Sequence, residues 1–149
     1  MFKRLLMVHL LTIFLAVWSG ASVAADITVY KDPNCGCCSK WATHLRDHSF
    51  SVTEVGVDDI NMYKSKYNVP ANMASCHTAV VEDYVIEGHV PAADILRLLK
   101  ERPDILGLTV PGMTLGSPGM EVGDQVQALD VIAINKDGTT TVFSSYPEK

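Results

Sequence analysis

Positive charge is scarce in this sequence. Twelve lysines and arginines stand against 17 aspartates and glutamates, and two of the twelve, Lys3 and Arg4, fall in an N-terminal stretch that holds no acid. Such a chain offers no basic face to a nucleic-acid backbone, so nucleic acid is excluded as a partner. Its excess of acids suits a protein that handles cations. A long apolar run is missing too: Leu5–Trp18 is interrupted by His9 and Thr12 and falls short of the roughly 20 residues that span a bilayer. No long repeat or low-complexity segment occurs. Cysteine is limited to four residues, at 35, 37, 38 and 76. Three of them crowd into one turn, whereas a structural disulfide framework spreads its bridges to staple distant parts of the chain. The spacings of the common iron–sulfur motifs are absent as well.

What is present begins with a leader. A short basic start, the Leu5–Trp18 run and a small-residue stretch ending Val23-Ala24-Ala25 make a secretory signal peptide over residues 1–25, with cleavage predicted before Asp26. Residues 26–149 are then one domain, long enough to bury a core, soluble after cleavage and without a membrane anchor.

Hydrophobic periodicity gives the order of elements. Strand Ile27–Lys31 leads into Asn34-Cys35-Gly36-Cys37-Cys38-Ser39, and helix Cys38–His48 leads out of it with Trp41, Ala42 and Leu45 on one face. Strand Ser51–Val57 follows, then a helix capped at Asp58-Asp59 and running to about Tyr67. Pro70–Ser75 reads as irregular or a short turn. Thr78–Val81 and Tyr84–Glu87 form a hairpin about Glu82-Asp83. Pro91 opens a third helix, with Ile95, Leu98 and Leu99 inward, and Pro103 ends it. Residues 103–124 hold five glycines and three prolines and read as a long functional loop. Gln125–Asn135 and Thr139–Phe143 close the chain as a strand pair turning at Lys136-Asp137-Gly138. The class is α/β: a β-α-β-α-β-β-α sheet with a Gly/Pro/Met-rich loop and a C-terminal β-hairpin extension. With thiols between its first strand and first helix it resembles the thioredoxin fold. A thioredoxin has a proline before its third strand; here Ser75-Cys76-His77-Thr78 takes that position, which predicts that Cys76 faces the other three cysteines.

The donor inventory points to a soft metal. The thiols lie at a helix N-terminus, where free N–H groups and the helix dipole favour thiolate. Two methionines, Met113 and Met120, each stand behind a Pro-Gly turn, seven residues apart. Thiolate and thioether together select Cu(I); four thiolates alone would suit zinc equally. Bridging cysteines would allow more than one Cu(I). His77, next to Cys76, is a candidate ligand or a group that orients one. His89, at the start of the third helix, is a further candidate. Met62 and Met73 read as packing or surface residues, His44 and His48 as a solvated face, and Asp58-Asp59 as a helix cap.

Taken in order, Cys35-Gly36-Cys37-Cys38, Ser75-Cys76-His77-Thr78-Ala79, Glu87-Gly88-His89-Val90-Pro91-Ala92, Val110-Pro111-Gly112-Met113 and Gly116-Ser117-Pro118-Gly119-Met120-Glu121 resemble the CopG-type copper-resistance proteins. These are periplasmic, thioredoxin-like proteins of Gram-negative bacteria, long known only as a domain of unknown function. The resemblance covers essentially all of residues 26–149. It implies a periplasmic protein that binds copper through Cys35, Cys37, Cys38 and Cys76, with a redox role between Cu(I) and Cu(II), and with other periplasmic copper-resistance proteins as partners. A different class of function stays open beside it: thiol–disulfide oxidoreductase, with Cys35 as nucleophile and Cys38 as resolving thiol.

Overall fold

The structure, a computed structural model, describes residues 25–149. Apart from Ala25, the leader expected over residues 1–25 lies outside the described residues. Among the described residues, no helix is long and apolar enough to cross a membrane. The elements are β1 (Asp26–Lys31), α1 (Gly36–Asp47), β2 (Ser51–Gly56), α2 (Ile60–Lys66), a single 3-10 turn (Ala71–Met73), β3 (Thr78–Val81), β4 (Tyr84–Glu87), α3 (Ala92–Glu101), β5 (Gly107–Thr109), β6 (Leu129–Ile134) and β7 (Thr140–Tyr146). All seven strands form one sheet in the order β2-β1-β3-β4-β5-β6-β7. The β1–β2 and β4–β5 pairs are parallel and the rest antiparallel.

Side-chain alternation along β1 assigns the helices to the two faces. Ile27 and Val29 point into the main core with Trp41 and Leu45 of α1 and Ile95 and Leu98 of α3. Tyr30 points the other way and stacks on Tyr63 of α2, ring centroids 4.2 Å apart. Full burial of each aliphatic side chain in that core contributes about 1.5–3 kcal/mol. Asp59 caps α2 by accepting the Asn61 N–H, and this helix begins where its acidic pair predicts.

Three expectations need correction. First, α1 begins at Gly36 rather than Cys38; glycine carries no apolar signal, so periodicity starts counting two residues late. Second, residues 103–124 are not one loop. They contain β5, which adds to β4 in parallel and places α3 as the crossover between them. Gly107 makes that pairing possible, because a Cβ there would lie 1.8 Å from the Val85 carbonyl oxygen. Third, the closing strands are Leu129–Ile134 and Thr140–Tyr146. They form the expected antiparallel hairpin, which through β5 continues the central sheet.

Candidate metal centre

The cysteine turn is built by β1 stopping where α1 begins. Cys35 is the N-cap residue of α1 in extended conformation. No side chain caps the helix, and its first turn has no acid, so its free N–H groups are available to negative sulfur. The turn is fastened from β2: the Glu54 carboxylate accepts the Ser39 hydroxyl at 3.0 Å and pairs with Arg46 at 3.0 Å. These hydrogen bonds, together with the charges of Arg46 and Lys31, draw the Glu54 carboxyl below its usual range against the opposing effect of burial.

The structure brings the four cysteines together. The Sγ atoms of Cys35, Cys37, Cys38 and Cys76 all lie within 4.8 Å of one another. Cys35 and Cys38 are joined in a disulfide, Cα atoms 5.4 Å apart, while Cys37 and Cys76 are free thiols. Cys38 is fully buried and the other three are partly exposed. Ligands about 2.3 Å from one ion lie at most about 4.6 Å apart, so the donor set fits a thiophilic ion once the disulfide is reduced.

A second group shares Cys76. Its Sγ lies 3.2 Å from His77 Nδ1 and 3.1 Å from His89 Nε2, and the three donor atoms again lie within 4.8 Å of one another. His89 Nδ1 donates to the Pro118 carbonyl at 2.7 Å. A carbonyl only accepts, so the neutral ring carries its proton on Nδ1 and turns the Nε2 lone pair toward Cys76. His77 is fully buried against Trp41, ring centroids 4.3 Å apart, and its Nε2 has no partner. Burial holds both imidazoles below the usual histidine range, His77 far below. Burial, and then the neighbouring Cys37, push the Cys76 thiol up to about 12.

The late loop reaches the same place by its backbone. Gly112 N–H donates to the Ala74 carbonyl at 3.2 Å, and the Ser75 hydroxyl donates to the Gly112 carbonyl. Gly119, at φ +86, lies against α1, where a Cβ would come 2.7 Å from Trp41 N and 2.8 Å from the Cys37 carbonyl oxygen. Both Pro-Gly-Met turns therefore flank the cysteines. Met113 is itself 47 % exposed and Met120 half-buried. His44 departs from its expected solvated face: it is half-buried and accepts the Ala92 N–H at 3.1 Å, capping α3.

Sequence reasoning missed the polar cluster beneath Cys76. Glu87 on β4 is fully buried. Its carboxylate accepts from Lys64 Nζ of α2, from the Thr78 hydroxyl at 2.7 Å and from the Ser75 N–H at 2.7 Å. Burial pushes the Glu87 carboxyl up while Lys64 opposes the shift. A run of β-branched and aromatic residues broken by one acid was the sole sequence signal for this cluster.

The sheet and the sulfur cluster define a small mixed α/β protein with a four-cysteine centre able to hold a soft metal. Comparison with known proteins narrows that class. The family described as a protein of unknown function, DUF411, matches residues 73–120. Two solved structures, of a copper resistance protein CopG in form 2 and in form 1, are each 46% identical to this chain and cover 84% of it. They are matched over 100% and 99% of their own length, with TM-scores of 0.81 and 0.80. The chain belongs to the CopG family of copper resistance proteins. No curated protein sequence matches it.

Proposed function

We propose that this is an exported protein of copper resistance that binds Cu(I) through Cys35, Cys37, Cys38 and Cys76, helped by Met113, Met120, His77 and His89. The observation that carries the reading is the gathering of four sulfur atoms, from two distant segments, within 4.8 Å. An all-sulfur set favours Cu(I) over harder ions, and the N-terminus of α1 presents free N–H groups to the sulfurs of Cys35, Cys37 and Cys38. The flanking Pro-Gly-Met turns support the methionines as neutral donors. The strand order β2-β1-β3-β4, with α1 and α3 on one face and α2 on the other, supports the thioredoxin-like description.

The Cys35–Cys38 disulfide supports redox chemistry at the same site. Each of two Cu(II) ions takes one electron from the Cys35 and Cys38 thiols. Two Cu(I) ions and the S–S bond result, and the thiol protons pass to solvent. The same disulfide favours a second reading, a protein thiol–disulfide oxidoreductase, in which the more exposed Cys35 attacks and the buried Cys38 resolves.

An anaerobic titration of the fully reduced chain with Cu(I) against a competing chelator tests the first reading. Tight binding of more than one equivalent is expected, and its loss on replacing the cysteines with serine. Rapid turnover of a disulfide substrate by the metal-free protein, with no tight Cu(I) binding, would select the second reading. Intact mass of exported protein tests the leader: the expected mature chain begins at Asp26.

A further inference from the structure

We propose that when Cys35 and Cys38 are oxidised to the disulfide, Cys76 Sγ, His77 Nδ1 and His89 Nε2 form a separate three-ligand site for one divalent ion of borderline softness. The proposal rests on the reading of Cys76 as a metal ligand and adds a second binding state, selected by the thiol redox state of the neighbouring turn.

Disulfide formation passes two electrons from Cys35 and Cys38 to two Cu(II) ions, as in the proposed redox step, releases two protons to solvent and removes two of the four sulfur ligands. Cys76 is not part of the disulfide. Its thiol keeps two imidazole nitrogens at 3.1 and 3.2 Å. They come from short segments fixed by neighbouring strands: Cys76 and His77 directly precede β3, and His89 follows β4, its pair in the sheet.

Two further features point to a ligand. The bond from His89 Nδ1 to the Pro118 carbonyl sets the tautomer and ring orientation that an Nε2 metal ligand needs. His77 is fully buried, yet its Nε2 makes no hydrogen bond. The polar atom this ring directs at a partner is Nδ1, aimed at Cys76; with the proton on Nε2, the Nδ1 lone pair is free for a metal.

The chemistry of the two sets differs. Four sulfurs favour Cu(I), whereas two imidazoles and one thiolate suit zinc-like divalent ions. Three protein ligands also leave a coordination position open for water or another molecule. The oxidised protein is therefore a divalent-ion binder, while the reduced protein uses Cys76 in its sulfur cluster.

Cobalt(II) is the probe, because its visible bands report tetrahedral coordination and its near-ultraviolet band reports thiolate. The mature, metal-free protein, with its Cys35–Cys38 bond verified by mass, is titrated without air. The Cys35→Ser/Cys38→Ala variant is titrated beside it, since it lacks the same two thiols permanently. One equivalent of Co(II) with the thiolate band is expected in both, and a loss of affinity of about tenfold or more in His77→Ala and His89→Ala. Folded samples that bind no Co(II), or bind it unchanged without His89, overturn the proposal. Reduced wild-type protein is titrated with Cu(I) in parallel. Cu(I) binding without Co(II) binding by the oxidised form rejects this inference and leaves the copper reading standing; the reverse rejects the copper cluster alone.

Discussion

The backbone N–H of Ser75 donates to the carboxylate of Glu87 at 2.7 Å, so the residue before Cys76 is held by a buried charge rather than by a strand. Lys64 and Thr78 complete the contacts of that carboxylate. Replacing Glu87 with alanine leaves the buried Lys64 ammonium without its counter-charge, with only the Thr78 hydroxyl to accept from it, and frees the Ser75–Cys76 turn. Breaking such a pair costs about 3–5 kcal/mol, and urea unfolding of Glu87→Ala is expected to show a loss of that size. The double variant Lys64→Met/Glu87→Leu removes both charges and is expected to lie closer to wild type than Glu87→Ala does.

Gly107 and Gly119 are required by different neighbours. At Gly107 a methyl group meets the β4 backbone, so Gly107→Ala is expected to break the β4–β5 pairing and yield little folded protein on expression. At Gly119 a positive φ adds to a close approach to α1. Gly119→Ala is expected to fold with a loss of roughly 1–3 kcal/mol in thermal unfolding and to bind Cu(I) more weakly as the loop lifts from the cysteine turn.

Much of this architecture is legible in the sequence because its signals are local. Thr78–Val81 and Tyr84–Glu87 match β3 and β4 residue for residue: both are apolar runs and Glu82-Asp83 can only be a turn between them. Pro91 and Pro103 bracket α3 in the same way. The cysteine turn is legible because three donors are adjacent in the chain. The strand β5 is not: three buried residues between two prolines carry no alternation and acquire their meaning only from pairing with Val85–Glu87. The Lys64–Glu87 pair is equally hidden, since a lysine in a short polar helix looks solvent-facing until the sheet covers it. The Cys35–Cys38 disulfide joins the pair that the oxidoreductase alternative names from the sequence.

The methionines offer a direct test of the copper reading. A thioether binds without losing a proton, whereas thiols must be deprotonated. Met113→Leu/Met120→Leu keeps the side chains' approximate size and apolar character, so the fold is expected to persist. Cu(I) affinity of the reduced protein is expected to fall, while zinc binding to the cysteines changes much less. Unchanged Cu(I) affinity and stoichiometry in this variant would remove the loop from the site.

His44 predicts a pH dependence of stability. It must be neutral to accept the Ala92 N–H. Burial, and then His48, hold it below the ordinary histidine range, while Glu121 and Asp47 oppose the shift. Between its lowered folded value and the unfolded value of about 6.5, the unfolded chain binds more protons, so stability rises with pH. The contribution is complete above about 6.5 and is lost as pH falls through the folded value. His44→Gln keeps an acceptor for Ala92 and does not titrate. Denaturation of metal-free protein is expected to show the two similar at pH near 8, with wild type losing about 1 kcal/mol, the worth of a helix cap, relative to the variant in mild acid.

Strands β5 and β6 are antiparallel neighbours, so residues 110–128 leave the sheet and come back one strand over. The sheet fixes where this excursion begins and ends but is nearly indifferent to its length, since doubling a loop adds only about 0.6 kcal/mol of closure entropy. The segment is a cassette. A descendant of this chain could lengthen it, shorten it or exchange its side chains while inheriting the cysteine turn and all seven strands unaltered. Under the proposed copper reading, in which Met113 and Met120 help bind Cu(I), a chimera that swaps only this segment is expected to alter metal preference on an unaltered scaffold.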